Sequence, residues 1–79
     1  MNYASLPDDV RCIATEVLTE KQLEAFVYEC SGIGVQRIAR LVGVTKGAIS
    51  GRLDGAHLKL RKAGVKMDGS GRWYIEDAA

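Results

Sequence analysis

One glycine set between two apolar periods constrains this chain more than any other feature in it. Val35, Ile38, Ala39 and Val42 recur at offsets of three, four and seven, the buried face of a 3.6-residue period. Gly43 follows at once, with the freedom to take the positive φ that a tight turn needs. Val44 then turns inward, Thr45 is placed to cap a second helix through its hydroxyl, and Ile49, Leu53, Ala56 and Leu60 form the inward stripe of that helix. Ala39 is small where the two helices must approach, and Ile49 plugs back into the core. The stretch from Gly32 to Leu53 therefore predicts helices at about 35–42 and 46–62 joined by a tight turn, a helix-turn-helix, with an ordinary αα-hairpin as the alternative.

The flanking segments supply the rest of a core. Ser5 can cap a first helix at about 7–17, Pro7 suits its first turn, and Asp8 and Asp9 complement the positive end of its dipole. Val10, Ile13, Ala14 and Val17 are its apolar face. Thr19-Glu20-Lys21-Gln22 repeats the capping-box pattern and starts a second helix at about 20–31. Leu23, Phe26, Val27 and Cys30 are expected inside, and Lys21, Glu24, Ala25, Tyr28 and Glu29 outside. Past Gly64 the period switches to two, so Val65, Met67, Trp73 and Ile75 alternate with Lys66, Asp68, Arg72 and Tyr74. One face is apolar only if Val65 pairs with Ile75, Met67 with Trp73, and Asp68 with Arg72 around a Gly69-Ser70-Gly71 loop. The hairpin, at about 65–75, must then lay Met67 and Trp73 on the helices. The expected fold is a single mainly α domain, residues 1–79: a four-helix helix-turn-helix unit with a C-terminal β-hairpin.

A chain of 79 residues buries only about 60% of its unfolded surface, so a second copy would help it. No apolar run is long enough to span a membrane, and the start of the chain lacks a basic region followed by an apolar one, so a cytoplasmic, nucleoid-associated protein with no membrane partner is expected. Cys12 and Cys30 lack metal-ligand spacing and are expected reduced, with no metal and no cofactor. His57 has no cysteine or carboxylate at dyad spacing, and Ser50 and Ser70 lack a nucleophile-elbow context, so no enzyme is expected. Net charge is +1, but residues 1–31 carry −4 and residues 32–75 carry +7. That polarity suits a binder that meets phosphates with one face.

The second of the two central helices has an unusual outer side. Gly47, Gly51, Gly55 and Leu58 point away from the core, with Ser50 and Asp54 beside them. Gly51 and Gly55 weaken the helix by about 2 kcal/mol together. Such a stripe fits a close approach by the floor of a major groove or by another helix.

From Leu18 to about Gly64 the chain resembles region 4 of bacterial sigma factors and related regulator domains. The residues that carry the resemblance are Leu18-Thr19-Glu20-Lys21-Gln22, Gly32, Ile38-Ala39, Gly43-Val44-Thr45, Ile49, Arg52-Leu53, Ala56 and Leu60-Arg61. The resemblance implies that the helix opening after Thr45 lies in the major groove of double-stranded DNA, with base-facing positions at Lys46, Gly47, Ser50 and Gly51. Two of these are glycines, leaving Lys46 and Ser50 as base readers. Thr45 and Arg52, with Arg37, Arg40, Lys59, Lys66 and Arg72, are expected at phosphates. His57 stands where the family has an apolar residue and Leu58 where it has a polar one, so Leu58, with Tyr28, is a candidate partner contact. The run Leu60-Arg61-Lys62-Ala63-Gly64-Val65 followed by Gly71-Arg72-Trp73-Tyr74-Ile75 resembles the helix-to-wing passage of winged-helix repressors. Together these imply a small phage-type, repressor-like transcriptional regulator acting as a homodimer. The alternative is a protein-interaction module that binds RNA polymerase or another regulator through Gly47, Gly51, Gly55 and Leu58.

Overall fold

Local chemistry sets where each element begins and stops. The computed structural model describes residues 3–69 and 71–75, which contain a short 3-10 turn at Tyr3–Ser5, then α1 (Asp8–Val17), α2 (Glu20–Cys30), α3 (Val35–Val42), α4 (Lys46–Lys62), β1 (Val65–Met67) and β2 (Trp73–Ile75). Thr19 and Gln22 form a complete capping box at the start of α2: the Thr19 hydroxyl accepts from the Gln22 N–H at 3.2 Å, and the Gln22 side chain accepts from the Thr19 N–H at 3.0 Å. Ser5 does not cap α1. Pro7 occupies the N-cap position without a side-chain bond, because Ser5 belongs to the preceding turn, closed by the Leu6 N–H on the Tyr3 carbonyl. An Asp8 to Arg11 ion pair spans the first turn of α1.

The core has two lobes that meet across α2 and α4. In one, Leu6, Val10, Ala14, Leu18 and Phe26 pack with Ala56, Leu60, Val65 and Trp73; in the other, Ala25, Ile38 and Ala39 pack with Ile49 and Leu53. Each large side chain fully buried here, such as Phe26, Ile38, Ile49 or Leu60, contributes about 1.5–3 kcal/mol of transfer free energy. Ala25 is thus buried, not on the outer side of α2 where its helical spacing placed it. The reason is that α2 is covered on two flanks, by α1 and the hairpin at Phe26 and by α3 and α4 at Ala25. A methyl group is what lets those helices approach.

The hairpin has the register that the apolar pairing requires: Val65 opposite Ile75, Lys66 opposite Tyr74 and Met67 opposite Trp73. Asp68 and Arg72 close it, the Asp68 N–H donating to the Arg72 carbonyl at 2.9 Å and the Arg72 N–H donating to Asp68 Oδ1 at 3.0 Å. Ser70, the middle of the expected loop, lies outside the described residues, as do Glu76 and Asp77. Val65 and Trp73 seal the hairpin onto the helices, and Trp73 meets Phe26 edge to face at 5.6 Å. Met67 does not join them. It is 42% exposed and stands, with Trp73, Leu6 and Cys30, around an open cavity between the hairpin and the helices. No helix among the described residues is long and apolar enough to cross a membrane.

Candidate nucleic-acid interface

The leading turn of α4 is built by the turn before it. Gly43 ends α3 in the left-handed conformation (φ 81°), and its N–H and that of Val44 both donate to the Ala39 carbonyl, at 2.9 and 3.0 Å. An L side chain at that φ costs about 1–2 kcal/mol, which is why glycine stands there. Thr45, in extended conformation, then caps α4 by accepting from the Ala48 N–H at 3.1 Å, and buried Ile49 anchors the turn from beneath.

What remains facing outward is Lys46, Gly47 and Gly51, with Ser50 half-buried beside them. A Cβ added at Gly47 or Gly51 would meet nothing within 4 Å, so both glycines lie on open surface. Gly55 is different, and the expected outward stripe breaks there: a Cβ at Gly55 would come within 2.7 Å of Gln22 Nε2. The close neighbour that explains this glycine is a side chain of α2 in the same molecule. Leu58 does stand out, 53% exposed.

The expected phosphate contacts fall into three places. Arg37 and Arg40 are exposed on the outer face of α3, and Arg52 is half-buried on α4; among the described residues none of the three, nor Lys46, has a carboxylate within ion-pair distance. Lys66 and Arg72 are exposed on the hairpin, beyond the other end of α4. At 1.5 Å per residue the axis from Lys46 to Lys62 is about 24 Å, so a duplex touched by both ends of α4 is engaged over about seven base pairs. Lys59 is drawn off to α2, where its Nζ donates to Gln22 Oε1 at 2.9 Å. Tyr28 is likewise half-buried against the second core lobe and does not stand out as an isolated contact.

Spacing along the chain gave no hint of the pair that ties α2 to α4. His57 Nε2 and Glu29 Oε1 are 2.7 Å apart, 28 residues distant in sequence, so His57 does have a carboxylate partner. Its ring lies against Trp73 at 5.2 Å and Phe26 at 6.5 Å, which joins α4, α2 and the hairpin at one point. The one clue was that a polar residue sat beside the apolar stripe of α4, where burial demands a partner. Cys30, next along α2, has its thiol pushed up to about 12 by burial and by the neighbouring Glu29 charge, so it stays protonated and is a poor nucleophile at neutral pH. No cluster of three or more His, Cys, Asp or Glu among the described residues is placed to hold a metal ion.

Comparison with known protein families, with characterised proteins and with solved structures finds no match to this chain.

Proposed function

We propose that the chain binds double-stranded DNA as a helix-turn-helix protein, with α4 entering the major groove by its first turn, and that it acts as a repressor-like transcriptional regulator. The observation that carries this reading is the open leading turn of α4: Lys46, Gly47 and Gly51 stand in solvent behind the Thr45 cap, with no carboxylate paired to Lys46. The absence of side chains at Gly47 and Gly51 lets a groove floor come close to the helix, while Lys46 and Ser50 can reach base edges. The partial positive charge at the helix start favours a nearby phosphate. Arg37, Arg40, Arg52, Lys66 and Arg72 would neutralise the backbone on either side, and two copies on a near-palindromic site would supply the specificity that two short base readers lack.

Leu58 supports a second reading, a protein-binding face that takes RNA polymerase or another regulator. Gly55 is closed off by Gln22, so that face reduces to Leu58 with the two open glycines. Two substitutions separate the readings in a fluorescence anisotropy titration of the protein's upstream DNA against a shuffled duplex. Lys46→Ala is expected to lower specific affinity by about 1–3 kcal/mol and leave the shuffled duplex little changed. Gly51→Arg, which fills the space left for the groove floor, should weaken binding to the specific duplex if the first turn of α4 enters the groove. No binding of any duplex at low salt would overturn the DNA reading.

A further inference from the structure

The fold leaves two helix faces uncovered that are opposite in charge and each carry exposed or half-buried apolar side chains. On α3, Arg37 and Arg40 flank Leu41, which is 55% exposed, and the helix carries no acidic residue. On α2, a depression of about 400 Å³ is lined by half-buried Leu23, Val27 and Tyr28 and rimmed by exposed Glu20 and Glu24. Lys21, the single cation of α2, is not part of that lining. Neither glutamate has an ion-pair partner among the described residues.

We infer that these faces dock on each other between copies of this chain, Leu41 of one copy entering the α2 depression of the next with Arg37 and Arg40 over Glu20 and Glu24. They cannot meet within one molecule, because Ala25 of α2 and Ile38 and Ala39 of α3 share a core lobe and the two faces lie on the outside of it. Charge restricts which faces meet. Pairing α3 with α3 sets arginines against arginines, and α2 with α2 sets glutamates against glutamates. Only α3 against α2 attracts, made either once between successive copies or twice across a two-fold axis. Arginines engaged in this way are withdrawn from phosphate, so self-association competes with the α3 phosphate contacts proposed above, although it does not depend on them.

The test uses the whole chain without nucleic acid, in sedimentation equilibrium at about 20 mM and about 500 mM salt. At low salt the weight-average mass is expected to climb with concentration to that of a dimer or above, and at high salt to fall back to the monomer. Arg40→Glu and Glu24→Arg should each abolish association, since each spoils one of the two faces. Mixed in equal amounts they should associate again, because the intact α3 face of one variant meets the intact α2 face of the other and the two reversed faces are again opposite in charge. Leu41→Ser, which keeps every charge, should weaken association at least about fivefold. Far-ultraviolet circular dichroism matched to the parent shows that the variants fold. A monomer at every concentration in low salt, a dimer indifferent to both charge reversals, or a mixture no better than its components would overturn the inference.

Discussion

Gly51 and Gly55 are chemically identical and four residues apart on one helix, yet they answer to different forces. Gly51 faces open space, so a methyl there only removes the helix-propensity penalty of about 1 kcal/mol. At Gly55 the same methyl must displace the Gln22 amide, whose Oε1 is already held by the Thr19 N–H and by Lys59 Nζ. Gly51→Ala is therefore expected to raise stability by about 1 kcal/mol, and Gly55→Ala to fall short of that gain or reverse it, as urea denaturation would report. Equal gains at both positions would show that the Gln22 amide moves aside freely. Cys30 gives a second residue-scale expectation. Its folded-state pKa of about 12 lies above the ordinary 9.0, so between those values the unfolded chain releases a proton that the folded chain keeps. That favours unfolding, and stability should decline as pH rises from about 9 toward 12, with no effect below. The parent chain should lose more stability across that window than Cys30→Ala, and a thiol reagent at pH 8 should label exposed Cys12 well before Cys30.

The elements most legible in the sequence are those fixed by neighbours along the chain. Gly43, Thr45 and Ile49 announce the α3 to α4 passage because a left-handed residue, a cap and an anchor are each local needs. The capping box of α2 and the register of the hairpin were legible for the same reason, since Thr19 with Gln22, and Val65 opposite Ile75, follow from short-range patterns. What could not be read was contact between elements. Periodicity placed Ala25 outside because it cannot count how many helices cover α2, and it placed Met67 inside because alternation says nothing about how far a strand overhangs its support. Glu29 with His57, and Gln22 with Lys59, are 28 and 37 residues apart, and no spacing rule reaches across that distance. The candidate interface inherits this division. Its leading turn on α4 was visible in advance, whereas the diversion of Lys59 to α2 and the loss of Gly55 from the open face emerge only once α2 and α4 are packed. The element these contacts leave most dependent on one side chain is the hairpin, where Trp73 touches both Phe26 and His57. Trp73→Ala should cost about 3–5 kcal/mol, enough to undock β1 and β2, with loss of near-ultraviolet dichroism as the readout.

At the scale of the molecule, charge segregation matters more than net charge, because a binder with +1 overall can still present a cationic face. The extents of 43 × 22 × 19 Å make this an elongated body, and the cations proposed for phosphate lie at several places along it. Each phosphate neutralised releases counterions, so the logarithm of affinity should fall linearly with the logarithm of salt at about 0.9 per contact. If Arg37, Arg40, Arg52, Lys66 and Arg72 all engage one duplex, the slope for a single copy should approach about −4.5. Engagement by the α3 and α4 residues alone would give about −2.7, a difference large enough to measure. Arg72→Ala distinguishes the two cases. It should reduce the slope by about 0.9 on specific and shuffled DNA alike if the hairpin lies on the duplex, and leave it unchanged if only the first turn of α4 and the face of α3 make contact. The outcome decides whether the 24 Å or so between the ends of α4 is bridged by DNA, and so whether the hairpin serves as a second phosphate clamp or only as the lid of the Phe26 lobe.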